Sequence, residues 1–133
     1  MRKVYIIIFL VVVVVAAWAV KNKMDSNTYK NVGVDEFEQI IAQKDSVTLL
    51  DVRTLSEYHE AHIPNAMLID MKTDSFLTAA RQQLPHDKKV AVYCRSGRRS
   101  ASAAVKLAKE GYTVINLDGG ILAWMSAGKL VEQ

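Results

Sequence analysis

Apolar positions along this chain obey two different rules. From Val4 to Val20 they are unbroken, a run of 17 residues with five consecutive valines at Val11–Val15, bracketed by Arg2 and Lys3 before it and Lys21 and Lys23 after it. Beyond Asn31, short apolar runs alternate with segments of helical spacing. Val34, Phe37, Ile40 and Ile41 recur at intervals of three and four, and the apolar Val47–Asp51 run ends on an acid. Leu55–Glu60 reads as a short helix and Ala66–Ile69 as a short strand. Asp74 and Ser75 are placed to cap a helix that runs to Leu84 and is closed by Pro85. Val90–Tyr93 is a strand of the fully buried type. Ala101, Ala104, Val105 and Ala108 follow at helical spacing up to a stop at Gly111. Val114–Leu117 reads as another strand, and Ile121, Leu122, Trp124 and Met125 as a last helix ending near Gly128, with Trp124 and Met125 in the core. Strands alternating with helices predict an α/β domain with a mostly parallel sheet, whose ligands gather at the C-terminal strand ends.

The unbroken run is too long for a buried strand, which spans about 4–8 residues. A membrane-spanning helix needs about 20 apolar residues, with about 17 as the lower limit. A signal peptide needs a basic start, an apolar core and a small-x-small site, which Ala17-Trp18-Ala19 supplies. Residues 1–24 are therefore expected to be a signal-anchor or a cleaved signal peptide, contacting the membrane through residues 4–20. Either way the remainder is carried to the extracytoplasmic (periplasmic) side, anchored or released. Residues 25–31 read as a short polar tether and 32–133 as the folded domain.

Composition narrows the function. The chain of 133 residues is one domain's worth, half apolar and 23% charged. Its net charge of +3 comes from 17 bases against 14 acids, but four of the bases lie in the first 24 residues with no acid. From Asp25 onward the balance is 13 against 14, or −1, which gives no electrostatic case for nucleic acid. A single cysteine excludes an intramolecular disulfide framework and a multi-cysteine metal site. His59, His62 and His86 have no metal-ligand spacing backed by carboxylates. His62 reads as a structural hydrogen-bonding residue at the turn before Pro64, and Lys88-Lys89 as a solvated turn.

The strand Val90–Tyr93 runs directly into Cys94, and a helix is under way six residues later. A strand, a tight loop and a helix N-terminus can aim several backbone N–H groups into one concavity. Gly97 lets that loop turn, and Arg95, Arg98 and Arg99 add positive charge. Such surroundings favour the thiolate, which is the nucleophile. The blander possibility is a buried structural cysteine, which has no need of three neighbouring arginines. Asp51 and Arg53, at the end of another strand, are placed to form a supporting ion pair beneath the loop.

The Cys94-Arg-Ser-Gly-Arg-Arg-Ser100 loop resembles the active-site loop of single-domain rhodaneses, the thiosulfate sulfurtransferases. Leu49-Leu-Asp-Val-Arg53 is similar to that family's first core strand, and Glu57-Tyr58 with His62-Ile-Pro-Asn-Ala66 to its next landmark. Gly111-Tyr112 and Leu117-Asp-Gly-Gly-Ile-Leu-Ala-Trp124 are similar to its C-terminal signature. Ala61 and Asn65 stand where the family often has glycine. The resemblance implies a three-layer domain with a five-stranded, mostly parallel sheet and helices on both faces; the unbroken apolar run places one hydrophobic helix before it. It implies that Cys94 accepts sulfane sulfur from thiosulfate or a persulfide donor and passes it to cyanide or a thiol. Arg95, Ser96, Gly97, Arg98, Arg99 and Ser100 would bind substrate, and no metal or organic cofactor is implied. A cysteine phosphatase or arsenate reductase would need Cys-x5-Arg, whereas Cys94 and Arg99 are separated by four residues. The same loop would also serve a redox-responsive thiol, and the same fold a non-catalytic rhodanese-like binding or regulatory module.

Overall fold

The structure, a computed structural model, describes residues 1–25 and 28–133, with side chains described outside 19–27. Helix α1 (Arg2–Asp25) comes first. The globular part then reads β1 (Lys30–Val32), α2 (Val34–Ile41), β2 (Val47–Asp51), α3 (Leu55–Glu60), β3 (Met67–Leu68) and α4 (Phe76–Gln83). It ends with β4 (Lys89–Tyr93), α5 (Arg98–Lys109), β5 (Val114–Leu117) and α6 (Gly120–Ser126). The five strands form one sheet in the order β1-β5-β4-β2-β3, parallel throughout.

Period-two alternation along the strands divides the core into two layers. On β4, Val90 and Val92 face one way, with Leu50, Val52, Phe76, Ala104 and Leu107, so α4 and α5 cover that face. Ala91 and Tyr93 face the other way, with Phe37, Ile115, Leu117, Ile121 and Trp124, so α2 and α6 cover the opposite face. The parallel register sets Asp51 beside Tyr93 on one flank and Leu68 on the other, so the C-terminal ends of β2 and β4 lie together.

Several local expectations change. The buried stripe of α5 is Ser100, Ala103, Ala104, Leu107 and Ala108, while Val105 is exposed. It is shifted from the alanine pattern and brings Ser100 inward, where its hydroxyl donates to Cys94 Sγ. Ser75 occupies the N-cap of α4 but makes no capping bond. Instead it is α3 that carries a complete capping box, from Thr54 and Glu57. Gly111, at φ +96, closes α5 as expected. Its N–H donates to Ala108 O and the Tyr112 N–H to Leu107 O, a Schellman arrangement. Trp124 is buried, but Met125 is exposed rather than part of the core.

The N-terminal expectation also changes. The apolar side chains described in α1 are exposed from Val4 to Val15 and again at Trp18. Among the described residues, no helix is long and apolar enough to cross a membrane. On that ground a membrane contact through residues 4–20 is unsupported, and the side chains of Ala19 and Val20 lie outside the described residues. Of the expected tether, Ser26 and Asn27 lie outside the described residues, and Lys30 and Asn31 belong to β1.

Candidate active site

Strand β4 delivers Cys94 to the floor of a turn that ends in α5. Gly97 is the N-cap of α5 at φ +97, a conformation that favours glycine. A Cβ there would also sit 3.2 Å from Gly119 N and 3.3 Å from Leu117 O, so the loop lies directly on the β5–α6 junction. Gly120 faces the same seam, at φ +59, and a Cβ there would collide with the Cys94 and Arg95 carbonyls. This close approach lets Ile121 N–H donate to Cys94 O at 2.9 Å and Leu122 N–H to Arg95 O at 3.1 Å. The amide of buried Asn116, on β5, donates to Gly97 O at 3.4 Å and to Asn31 Oδ1 at 2.9 Å. The loop is thus held from below by β5 and from the side by the start of α6.

The sulfur is enclosed. Cys94 is 1% exposed, and its Sγ accepts from Gly97 N–H at 3.1 Å and from Ser100 Oγ at 3.3 Å. Burial pushes the Cys94 thiol up. Donation from the Ser100 hydroxyl, and from the N–H groups of Ser100, Gly97 and Ser96, outweighs burial and holds it below its ordinary value. The inward turn of Ser100 on α5 is therefore part of the thiolate's support.

The three arginines of the loop have different surroundings. Arg99 makes a two-pronged ion pair with Glu57 of α3, at 2.8 and 2.6 Å. That pairing, opposed by burial and helped by Thr54, holds the Glu57 carboxyl down at about 2. Arg95 and Arg98 are exposed, as is Ser96. Sequence reasoning did not assign Glu57 to the site, although Thr54-Leu-Ser-Glu57 is itself a capping-box signature. What the sequence could not announce is its second partner, 42 positions away.

Beneath the loop, Asp51 and Arg53 form a buried ion pair at 2.7 Å. Arg53 Nη2 also donates to Ala61 O at 2.7 Å, and the guanidinium lies 5.6 Å from the centroid of the Tyr93 ring. The Tyr93 hydroxyl accepts from Ile63 N–H at 3.1 Å. His62 stacks on Tyr58 with ring centroids 3.7 Å apart, and its Nδ1 lies 2.9 Å from Tyr58 O. Its backbone also pairs with Glu132, the His62 N–H donating to Glu132 O at 2.8 Å and the Glu132 N–H to His62 O at 2.9 Å, so His62 ties the α3–β3 connection to the C-terminal segment.

A cavity of about 160 Å³ opens beside the loop, lined by Arg53, Glu57, Glu60, Arg95, Leu122 and Met125 among others. Among the described residues, no three His, Cys, Asp or Glu side chains cluster as a metal site. A buried thiol held toward the thiolate, a rigid ring of N–H donors and an adjoining pocket together suit nucleophilic transfer of a small group.

Comparisons with known proteins agree with this architecture. Residues 33–127 match the family model described as the Rhodanese-like domain. A sulfurtransferase from Allochromatium vinosum is 37% identical over 95 residues, covering 71% of this chain and 86% of that protein. The protein slr1261 of Synechocystis is 35% identical over 107 residues, covering 79% of this chain and 58% of that longer protein. The crystal structure of a rhodanese-related protein from Thermoplasma volcanium superposes with a TM-score of 0.64 at 30% identity, covering 78% of this chain and 98% of that one. With five parallel strands, a cysteine at the end of the central β4 and a family match across the sheet and its helices, the chain belongs to the rhodanese-like domain family.

Proposed function

We propose that this protein is a sulfurtransferase that carries sulfane sulfur on Cys94 as a persulfide. The observation that carries the reading is the enclosed Cys94 Sγ, hydrogen-bonded by Gly97 N–H and Ser100 Oγ and held below the ordinary thiol value. The thiolate attacks the outer sulfur of thiosulfate or of a persulfide. A new Sγ–S bond forms, the donor's own bond to that sulfur breaks, and the electron pair leaves on sulfite or on the donor thiolate. The added sulfur is received by the N–H groups of the turn, which favour negative charge. A thiol or cyanide then attacks the outer sulfur and regenerates the Cys94 thiolate. Substrate enters from the cavity that Arg95 lines, and Arg95 and Arg98 supply its positive rim. Arg99 acts through Glu57 to fix α3 against the start of α5. The test is turnover of thiosulfate with cyanide as acceptor by the whole chain and by Cys94→Ser. The variant is expected to stay folded and inactive, and turnover by the variant contradicts the reading.

We also propose that the protein works on the extracytoplasmic face of a membrane, with α1 directed to the lipid. Supporting this are the basic start at Arg2 and Lys3 and the exposed apolar side chains that follow. Protease accessibility in spheroplasts tests the side: digestion of the domain without lysis is expected, and protection contradicts it.

A further inference from the structure

The cavity beside the cysteine loop is dipolar. Four charged residues line it, and two of these are neutralised locally: Arg53 by Asp51, and Glu57 by the two-pronged contact with Arg99. Glu60, at the end of α3, and Arg95, at the start of the loop, are exposed and form no ion pair among the described residues. The remaining charge on the wall is thus one carboxylate and one guanidinium. Leu122 and Met125 on the same wall are 40% exposed each and give it an apolar surface.

A dianion such as thiosulfate gains from Arg95 and loses to Glu60 in this setting. A ligand carrying one ammonium and one carboxylate satisfies both groups at once. Size agrees with such a ligand. The cavity measures about 160 Å³, and a cavity of about 150 Å³ takes a molecule as large as benzene. An amino-acid persulfide with about eight heavy atoms is of that order. We infer that the preferred donor is an amino-acid-type persulfide, its ammonium set against Glu60, its carboxylate against Arg95 and its carbon–sulfur stem along Leu122 and Met125. This rests on the sulfur-transfer reading above and names the substrate class for that site. The step balances without an external oxidant. The Cys94 thiolate attacks the outer sulfur of R–S–SH and a Cys94 S–S bond forms. The donor S–S bond breaks, and R–S⁻ leaves with the electron pair and takes a proton from water.

The test measures loading of Cys94 in the full chain by rapid quench and intact mass. Two donors are compared: cysteine persulfide, and the persulfide of 3-mercaptopropionate, which keeps the carboxylate and lacks the ammonium. The wild-type protein is expected to load faster from cysteine persulfide. Glu60→Gln, at an exposed position, is expected to lower that selectivity ratio about two- to fivefold, the effect of one lost exposed ion pair. An unchanged ratio in Glu60→Gln, or a wild type indifferent to the ammonium, overturns the inference while leaving sulfur transfer intact. Failure of Cys94 to load from these donors or from thiosulfate overturns the sulfur-transfer reading, and the inference falls with it.

Discussion

Replacing Ser100 by alanine removes one atom from the active site and tests what holds the thiolate. The Ser100 hydroxyl lies 3.3 Å from Cys94 Sγ, on a residue with no exposed surface. A hydrogen bond to a charged group contributes about 1.5–3 kcal/mol. At 1.36 kcal/mol per pH unit, and taking the low end for a soft sulfur acceptor, the thiol should titrate about one unit higher in Ser100→Ala. The three N–H donors of Ser96, Gly97 and Ser100 remain, so the shift is partial. The assay is the rate of Cys94 alkylation by iodoacetamide as a function of pH, read by intact mass. Circular dichroism provides the control for folding. A midpoint displaced upward by about one unit supports the role of the hydrogen bond. A midpoint within about 0.2 unit of wild type, in a folded variant, refutes it and shifts the burden to the arginines. Linkage gives a second readout. Because the folded thiol lies below its ordinary value, its stabilising share is present above that ordinary value and is lost as pH falls through the folded one. Ser100→Ala should therefore lose more stability in mildly alkaline than in mildly acidic buffer.

Three further outcomes follow from the surroundings of the loop. Asp51→Asn leaves the buried Arg53 guanidinium without its counter-charge; a loss of about 3–5 kcal/mol is expected, measured by urea titration. Glu57 is held at about 2 rather than 4.5, so its contribution is complete above 4.5 and is lost as pH falls toward 2. Glu57→Gln should therefore flatten the acid limb of the stability curve between those values. Gly111 and Gly120 both have positive φ, but only Gly120 is crowded. Gly111→Ala should cost about 1–2 kcal/mol for backbone strain alone. Gly120→Ala should cost more and also slow Cys94 alkylation, and equal losses would contradict the seam between α6 and the loop.

What could be read in the sequence was what lies close along the chain. The β4 run ending on Cys94, the turn at Gly97 and the helix after it are one contiguous signal, and the structure places them as a unit. The pair Asp51 and Arg53 is likewise two residues apart. What could not be read depends on contacts across the sheet. Asn116 reaches Gly97 from another strand, and Arg99 reaches Glu57 across 42 positions. Strand β1 escaped notice because Lys30 and Asn31 are exposed and polar, leaving only Val32 buried. Its strand character comes from pairing with β5 rather than from its own composition. The N-terminal run shows the converse. Its apolar character is unmistakable, yet among the described residues no helix is long and apolar enough to cross a membrane.

The most direct test of sulfur carriage by Cys94 is the intact mass of the full chain before and after exposure to a sulfane-sulfur donor, with peptide mapping of the product. The predicted result is a gain of one sulfur atom on Cys94, removed by cyanide and absent from Cys94→Ser. A chain that gains no sulfur from thiosulfate or from any persulfide, or that gains it equally in Cys94→Ser, contradicts it.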